Sequence, residues 1–517
     1  MVAAPHQEEA EQAEDADRDQ PGTLLELLRQ RALAACRGQR HLDGRLGDQG
    51  DGARHPLAAS CRVPSVHGGI IGRAESAGHT ARVIHQLPGD FLLGCATAAH
   101  QVEGNLDNDW TRMEREHPER IKDGSVSGIA CDHHARYRDD LRELADMHHS
   151  AHRFSIEWSR VEPRDGVFDA DELRHYADVV RTCRSLRMEP VVTLHHFTLP
   201  VWLADRGGVC SSDAPHRFAR FAAVCAEAIG ADVRWWITIN EPTVLAVFGY
   251  LYGEWPPLEP SMGGFLDALA GMARMHAAGY TALHRVAHAH GWDAAVSIAH
   301  HERPLRPLNP RSPIHRAVAV LPNAIFNRWF LRACTTGRLL PPVGHSQVVP
   351  GLRGSLDYLG LNFYCEERVR FSPRRPRELF AENVVPSGVP LSAFGWTIDP
   401  DALRRAIENL WEDFRLPILI TENGVADDHD ELRAQFIVDH LSAVGAAIAA
   451  GADVRGYLHW TAMDNFEWAE GYSKRFGLLA VDRGTQERTP KPSAAVFAQI
   501  CASRRVGVPQ APVEAAV

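Results

Sequence analysis

The sequence predicts an α/β protein with a single (β/α)8 barrel, the TIM-barrel architecture, behind a disordered N-terminal extension. Three observations support this prediction. Eight strand-length apolar runs recur from residue 91 onward, segments of helical periodicity separate them, and several runs end in polar or charged residues. Near-continuous apolar strands that alternate with helices are typical of a parallel sheet covered on both faces. A doubly wound open sheet is the alternative, but no G-x-G-x-x-G segment follows a strand-like run.

Residues 1–86 are predicted to be an extension outside the barrel. The 19 Phe, 9 Tyr and 12 Trp all lie from Phe91 onward, and a segment without aromatics buries too little apolar surface to offset the entropy of the chain. We expect most of it to be disordered, either as an inert extension or as upstream sequence included by a misplaced start codon, with a functional tail as the weaker alternative. The leucines between residues 24 and 33 fit one short helix. The barrel is assigned to 87–503 and a Pro-, Ala- and Val-rich C-terminal tail to 504–517.

The eight runs that we predict as barrel strands are rich in β-branched and other apolar residues. They are 91–96, 151–158, 190–196, 236–241, 294–299, 357–364, 417–422 and 454–460. Between them, apolar residues recur at helical spacing, for example from 173 to 183 and from 403 to 414. The second of these helices has Asp399 as its predicted N-cap and Pro400 at its first helical position.

Composition narrows the classes of partner. The 517 residues are 45% hydrophobic and 23% charged, which is ordinary for a globular protein with a large core. The formal net charge of -11, without a basic stripe that contains aromatics, argues against a nucleic-acid partner. No apolar run approaches the ~18 residues of a membrane-spanning helix, and no secretory signal is visible at the N-terminus. We therefore expect no membrane association.

The cysteines and histidines predict no metal site, and we expect no cofactor. The 10 cysteines are scattered without a C-x-x-C pair, so neither a zinc site nor a disulfide framework is indicated, and a reducing compartment, the cytoplasm, is expected. Histidines are adjacent at 133/134, 148/149, 195/196 and 300/301. Neighbouring side chains on a strand point to opposite faces, so such a pair does not easily share a metal ion.

The C-terminal ends of the predicted strands carry the candidate functional residues, because active sites of (β/α)8 barrels lie there. The fourth run ends in Asn240 and Glu241 and the seventh in Glu422 and Asn423. Buried carboxylates are costly unless they are used. The other strand ends offer amide, imidazole, carboxylate and indole groups, which suit a polyhydroxylated ligand. These residues are Gln101, Glu103, Arg153, Glu157, His195, His196, Asn362, Tyr364 and Trp460.

A pair of carboxylates across a sugar site is what glycoside hydrolysis requires. One must be protonated to assist the leaving group, and the other must be ionised to attack the anomeric carbon or to activate water. A nearby arginine such as Arg153 would keep one glutamate ionised, and a less polar setting would keep the other protonated. The strand ends alone leave open whether Glu241 or Glu422 is the acid.

Six motifs resemble those of glycoside hydrolase family 1, the β-glucosidase family, and they cover nearly all of the chain from Phe91 to about Phe497. Two of them are T-I-N-E-P, which contains Glu241, and I-T-E-N-G, which contains Glu422. The other four are F-L-L-G-C-A-T-A-A-H-Q-V-E-G at 91–104, R-F-S-I-E-W-S-R at 153–160, D-Y-L-G-L-N-F-Y at 357–364 and W-T-A-M-D-N-F-E-W-A-E-G-Y-S-K-R-F-G at 460–477.

The resemblance implies a retaining β-glycosidase that removes terminal β-D-glucosyl residues from small β-glucosides by double displacement, through a covalent glycosyl-enzyme. It implies that Glu422 is the nucleophile and Glu241 the acid/base, with carboxyl groups ~5 Å apart. Arg153 and Tyr364 are then expected to position the nucleophile. The implied substrate-binding residues are Gln101, His196, Asn240, Asn362, Trp460, Glu467 and Trp468, with His196 preferred to His195 because it precedes the aromatic-x-Leu-Pro run.

Two alternatives to a β-glucosidase stay open at this stage. The first is a member of the same family that prefers β-galactosides or β-fucosides. The second is a non-catalytic sugar-binding barrel, since a fold does not confer activity, although the presence of both glutamates disfavours it. The sequence leaves the oligomeric state undetermined.

Several positions depart from common family patterns. Phe197 and Thr198 stand where many members have Trp and Asp, and the segment after Gly424 is short. Glu241 is not the Gln of plant thioglucosidases, which favours an acid-assisted O-glycosidase. Glu467 favours an unphosphorylated sugar, because a carboxylate there would repel a 6-phosphate.

Overall fold

The computed structural model describes residues 84–376 and 378–507. Most of the predicted extension at 1–86, including the helix predicted between 24 and 33, lies outside the described residues, as do 508–517 of the predicted tail. Within the described part, the strands 85–86 and 505–506 pair in antiparallel orientation. The described secondary structure therefore begins two residues before the predicted barrel boundary at 87 and continues past the boundary at 503.

All eight predicted strands form one closed parallel barrel. The strands, β1 to β8, are Leu92–Ala96, Ala151–Ser155, Glu189–His195, Trp235–Asn240, Ala295–His301, Leu359–Asn362, Ile418–Asn423 and Val454–Trp460. Each strand pairs with its neighbours in sequence, and β8 pairs with β1 to close the barrel. The prediction of a (β/α)8 barrel is confirmed, and an open doubly wound sheet is excluded.

Three strands differ from their predicted bounds by two residues or more at one end or both. β2 ends at Ser155, because the chain turns there into a helical turn in which the Glu157 side chain accepts a hydrogen bond from the Ser159 amide. β6 is confined to four residues. β5 continues two residues beyond the predicted end at 299, since His300 and His301 keep their register with Leu361 and Asn362 of β6.

One long helix or helical segment follows each strand on the outside of the barrel. The eight helices are His133–Asp146, Ala170–Ser185, Ala214–Ile229, Met262–His290, Phe330–Thr336, Pro400–Phe414, Arg433–Ala449 and Pro492–Ser503. The two helices predicted from periodicity are thereby confirmed. Asp399 caps its helix by accepting a hydrogen bond from the Ala402 amide at 3.2 Å.

The remaining short elements lie in the loops. The helical ones are Ala99–Val102, Asp109–Glu116, Pro118–Arg120, Trp158–Val161, Val201–Ala204, Gly208–Cys210, Gly230–Asp232, Pro242–Leu245, Ala246–Tyr252, Pro313–Asn323, Ala324–Trp329 and Trp468–Glu470. The short strands besides the terminal pair are Leu305–Pro307, Arg338–Leu339, Gln347–Val348, Glu367–Phe371, Ala381–Asn383, Leu479–Val481 and Arg488–Pro490. In the described part of the chain, no helix has both the length and the apolar character that a membrane crossing requires.

The core has two layers. Small and medium apolar side chains fill the inside of the barrel, among them Ala151, Val191, Ile237, Leu419 and Leu458. A much larger apolar cluster lies between the strands and the surrounding helices. These side chains form an apolar layer beneath the C-terminal strand ends, and the polar residues of the site lie above this layer.

Candidate active site

A buried arginine lies at the centre of the C-terminal rim. Arg153 is the middle residue of β2, its side chain is 0% exposed, and it donates hydrogen bonds in several directions. Its Nε atom reaches Thr193 Oγ1 at 3.0 Å, and its Nη2 atom reaches Asn240 Oδ1 at 2.7 Å. Its Nη1 atom reaches Glu422 Oε1 at 2.5 Å and the Thr421 carbonyl at 3.2 Å. One side chain thus joins β2 to β3, β4 and β7.

Glu422 receives one charged and one neutral donor. Besides Arg153, the Tyr364 hydroxyl donates to Glu422 Oε2 at 2.6 Å. Burial and the charge of Glu422 raise the pKa of Tyr364 well above its ordinary value, so this hydroxyl keeps its proton and remains a donor. Both oxygens of Glu422 are therefore held, which fixes the plane of the carboxyl group.

The orientation of two amides follows from the arginine. A guanidinium can only donate, so Asn240 must turn its oxygen toward Arg153. That oxygen also accepts from Asn362 Nδ2 at 3.1 Å, and the same nitrogen donates to Glu241 Oε1 at 2.7 Å. The oxygen of Asn362 bonds to the Thr421 hydroxyl at 2.6 Å. Through Asn240 and Asn362, Arg153 therefore also makes the amide nitrogen of Asn362, rather than its oxygen, face Glu241.

Glu241 sits on strained backbone between β4 and the helix Pro242–Leu245. Its φ is 43° and its ψ is 59°, in the left-handed region that non-glycine residues seldom adopt. Such a conformation costs on the order of 1–3 kcal/mol and is typical of functional sites. Phe197 and Trp468, with φ of 70° and 50°, are in the same region. The amide of Glu241 is held by the Ala299 carbonyl at 2.8 Å.

The two glutamates influence each other's ionisation. Burial raises the pKa of Glu422, and the charge of Glu241 raises it further, against the opposing effect of Arg153. Burial also acts to raise the pKa of Glu241, but His301 and the Asn362 amide outweigh it and leave the pKa of Glu241 below its ordinary value. Protonation of either carboxyl group therefore makes the other easier to ionise.

A second polar cluster faces the same cleft. Gln101 Nε2 donates to Asn465 Oδ1 at 3.1 Å and to Glu467 Oε2 at 3.2 Å. Gln101 Oε1 is buried without a partner among the described residues, so it can accept a hydrogen bond from a hydroxyl group of a ligand. Burial and the charge of Glu422 raise the pKa of Glu467 to about 8.

Parallel rings form one wall of the cleft. His196 stacks on Trp460 at 6.1 Å and on Trp468 at 5.9 Å, with interplanar angles of 14° and 9°. His196 Nε2 lies 3.3 Å from Asn240 Nδ2. Burial and the charge of Arg153 hold the pKa of His196 well below its ordinary value, so the ring is neutral. The cleft thus combines flat apolar faces with directed polar groups, as a sugar ring requires.

The structure therefore brings every site residue that the family resemblance implies into one connected cluster. The members are Gln101, Arg153, His196, Asn240, Glu241, Asn362, Tyr364, Glu422, Trp460, Glu467 and Trp468. Among the described residues, no three side chains of the His, Cys, Asp and Glu types come together as a metal site would need. The arrangement is suited to acid/base and nucleophilic chemistry on a sugar.

Comparison with known proteins identifies the family. The sequence profile of glycosyl hydrolase family 1 matches residues 83–506. The β-glucosidase A of Thermotoga maritima is 30% identical over 445 residues, which cover 81% of this chain and 98% of that protein. The β-galactosidase of Saccharolobus solfataricus is 30% identical over 477 residues, which cover 81% and 95%. A solved β-glycosidase from Pyrococcus horikoshii, 33% identical, superposes with a TM-score of 0.76 over 83% of this chain and 99% of its own.

The chain belongs to glycosyl hydrolase family 1. It is a glycosidase of the β-glucosidase type, and hydrolysis with retention at the anomeric carbon is characteristic of this family. The resemblance that the motifs carried is thereby confirmed.

Other polar residues at strand ends of this family 1 enzyme serve the scaffold. Glu103 accepts hydrogen bonds from Arg160 at 2.9 Å and from the Tyr176 hydroxyl at 2.9 Å. Glu157 accepts from the Thr198 hydroxyl at 3.0 Å, so Thr198 supports a neighbouring loop. Both ring nitrogens of His195 are buried without a partner among the described residues.

The departure at Phe197 has a structural counterpart. Its ring packs at 5.1 Å against Trp468, at an interplanar angle of 70°, and at 5.1 Å against Trp255. Phe197 therefore supports the indole of Trp468 from behind, without a hydrogen-bonding group of its own.

Some site residues were missed from the sequence. Thr193 and Thr421 lie before the strand ends and bond to Arg153 and Asn362, and Asn465 orients Gln101. His301 Nδ1 lies 2.9 Å from Glu241 Oε1. The signal for His301 was present, because it ends β5, but ending the predicted strand at 299 placed it in a loop.

We expect Glu467→Gln, which cannot ionise, to raise the free energy of unfolding near pH 8 by about 3 to 5 kcal/mol. The unfolded chain releases the Glu467 proton near its ordinary pKa of 4.5, whereas the folded enzyme keeps it up to about 8. Wild-type stability therefore falls as the pH rises between these values, and the variant escapes this loss. Urea unfolding near pH 8 and near pH 4 measures the difference, which should vanish at the lower pH. An advantage that does not grow with pH would contradict the buried environment of Glu467.

Proposed function

We propose that this family 1 enzyme releases terminal non-reducing β-D-glucosyl residues from small β-glucosides by double displacement. Glu422 is the nucleophile and Glu241 the acid/base in this proposal. The observation that carries it is the unequal support of the two carboxyl groups. Glu422 has a guanidinium directly on one oxygen, at 2.5 Å, and a phenol on the other, whereas Glu241 receives an amide and an imidazole on Oε1.

The proposed roles require the single proton of the pair on Glu241, although burial and the charge of Glu241 raise the pKa of Glu422 while His301 and Asn362 lower that of Glu241. With Glu241 protonated, the negative charge that raises the pKa of Glu422 is gone, and Arg153 and Tyr364 then favour the carboxylate of Glu422. The productive state has one proton on the pair, located on Glu241. Glu422 is then an anion that is held in place for attack on the anomeric carbon.

The reaction runs in two inversions. In the first, Glu241 gives its proton to the glycosidic oxygen while a Glu422 oxygen bonds to the anomeric carbon and the bond to the leaving group breaks. In the second, the Glu241 carboxylate takes a proton from water, the water oxygen bonds to the anomeric carbon, and the bond to Glu422 breaks. The sugar leaves with its original β configuration.

The remaining site residues bind the sugar in this proposal. Gln101, through its free oxygen, and Glu467 bind hydroxyl groups away from the anomeric carbon, and His196 and Asn240 bind those nearer to it. Trp460 packs on a face of the ring, with Trp468 and the amide of Asn362 completing the pocket. Glucose is the proposed sugar because the Thermotoga maritima relative is named a β-glucosidase. β-Galactosides and β-fucosides are second candidates, on the strength of the relative that is named a β-galactosidase.

Two features outside the cleft complete the proposal. We place the catalytic domain within the family match at 83–506, with the residues before it as an extension that the chemistry does not use. We also propose a cytoplasmic location, supported by the eight cysteines of the described part, which are all unpaired. Fractionation of cells that express the full chain would test the location.

We expect nitrophenyl β-glucoside to be the best substrate in a panel of α and β gluco, galacto, fuco, manno and 6-phosphogluco nitrophenyl glycosides. The α-glycosides should be inert, because in the proposed double displacement Glu422 attacks the anomeric carbon from the α face, opposite a β leaving group. Proton NMR of the first product should show the β-sugar before mutarotation. An α-sugar as first product would refute double displacement, and a faster β-galactoside would transfer the proposal to that sugar. Silence from folded protein would favour a sugar-binding barrel.

We expect Glu422→Ala and Glu241→Ala to give opposite anomers with azide. Without Glu422, kcat/KM should fall on the order of 10⁴-fold, and azide in the vacated space should yield an α-glycosyl azide. Without Glu241, activated substrates should still react, poor leaving groups should not, and azide should yield a β-glycosyl azide. Product NMR reads the anomer. Glu412→Ala, an exposed change on the helix Pro400–Phe414, is the control and should keep wild-type rates. The same anomer from both variants would show that the roles are wrong.

A further inference from the structure

A histidine contacts the proposed acid/base directly. His301 is the last residue of β5, and its Nδ1 atom lies 2.9 Å from Glu241 Oε1. The side chains are 14% and 8% exposed, so the contact is largely shielded from water. Its neighbour His300 is buried on the other side of the strand, where its Nε2 atom bonds to Glu302 at 3.1 Å. Only one histidine of this pair therefore faces the cleft.

The hydrogen bonds of Glu241 distinguish its two oxygens. Asn362 Nδ2 already donates to Oε1, and its orientation is fixed through Asn240 and Arg153. Within the described residues, both side-chain contacts of Glu241 go to Oε1. If His301 donates as Asn362 does, Oε1 accepts two hydrogen bonds, as the carbonyl oxygen of a carboxylic acid does, and the acidic proton then belongs on Oε2.

We propose that His301, as a Nδ1–H donor, is a positioning residue that keeps the catalytic proton on Oε2 of Glu241 and stabilises the carboxylate that remains after proton donation. This inference rests on the proposed role of Glu241 as the acid/base. The imidazole keeps its own proton throughout. In the first step the proton moves from Oε2 to the glycosidic oxygen, and in the second step a proton from water returns to Oε2.

The donor meets a need of the two-step reaction. Burial raises the pKa of Glu241, and without compensation this carboxyl group would hold its proton too firmly to act as a base in the second step. His301 is the largest opposing influence on that pKa, followed by Asn362 and Arg153. The balance lets one carboxyl group serve both as acid and as base.

The other groups around His301 do not replace Glu241 as its partner. The rings of Tyr364 and Phe326 lie at 5.8 Å each, the first tilted and the second edge-on. The Arg303 guanidinium lies on Phe326, 5.8 Å from its ring centre, and is paired with Glu367. On the same strand, the neighbouring His300 is paired with Glu302 at 3.1 Å, so it presents no unpaired charge to His301.

The test compares two substitutions of similar size. Asn places its amide nitrogen where His has Nδ1, and Gln places its amide nitrogen where His has Nε2. We expect His301→Asn to keep the alkaline limb of the kcat/KM profile and His301→Gln to move it about one pH unit upward, because Glu241 loses a donor that stabilises its carboxylate. The substrate is a phenyl β-glucoside with a poor leaving group. With a dinitrophenyl substrate, His301→Gln should also lower kcat severalfold, since the second step then limits the rate.

The outcomes are decisive in both directions. Unchanged limbs in both variants, equal shifts in both, or a shift to lower pH would overturn the role of Nδ1. Active-site counts with a 2-fluoro glycoside ensure that only folded enzyme is compared, and His301→Ala, with the same expected shift, replaces the Gln variant if that one does not fold. Glu241→Gln separates the two proposals, because its profile should lack the alkaline limb. If that limb persists at wild-type rates, the role of Glu241 fails, rather than that of His301.

Discussion

Arg153 carries a positive charge that is fully buried at the rim of the barrel, where it is tolerable only if its donors are all used. Its bonds to Thr193, Asn240 and Glu422 therefore tie β2 to β3, β4 and β7. Because a guanidinium never accepts a hydrogen bond, it also decides how Asn240 faces, and through it how the amide beside Glu241 faces. Arg153 therefore holds Glu422 directly and, through Asn240, orients the amide that contacts Glu241.

Several residues of the cleft have backbone conformations or surroundings that lower the stability of the folded protein. Glu241 has a left-handed backbone, and so do Phe197 and Trp468 beside the sugar pocket. Glu467 is half-buried, with a pKa raised to about 8, and Glu422 is buried next to another carboxyl group. The large apolar core of the surrounding barrel offsets these losses of stability. A sugar that binds in the cleft would meet donors, acceptors and flat rings that are already in place, which reduces the reorganisation that the reaction needs.

Much of the fold and the site could be predicted because they depend on local patterns. Apolar runs of strand length gave all eight strands, and Asp399 with Pro400 marked a helix start. Glu241 and Glu422 stood out because carboxylates at the ends of buried strands are costly. The contacts of Thr193 and His301 could not be predicted, since they depend on barrel register and on where a strand ends. Relative pKa values depend on burial and on distances across the barrel, which the sequence pattern does not contain.

In our proposal, Glu422 forms a covalent bond to the sugar while Arg153 and Tyr364 hold the Glu422 carboxyl group in place. Trapping tests it most directly: the enzyme is treated with a 2-deoxy-2-fluoro-β-glucoside that has an activated leaving group, digested, and mapped by mass spectrometry. The fluorine slows both steps and the good leaving group spares the first, so the glycosyl-enzyme accumulates. We expect one sugar per chain, on Glu422. A label on Glu241 or elsewhere, or turnover with no label, would contradict it.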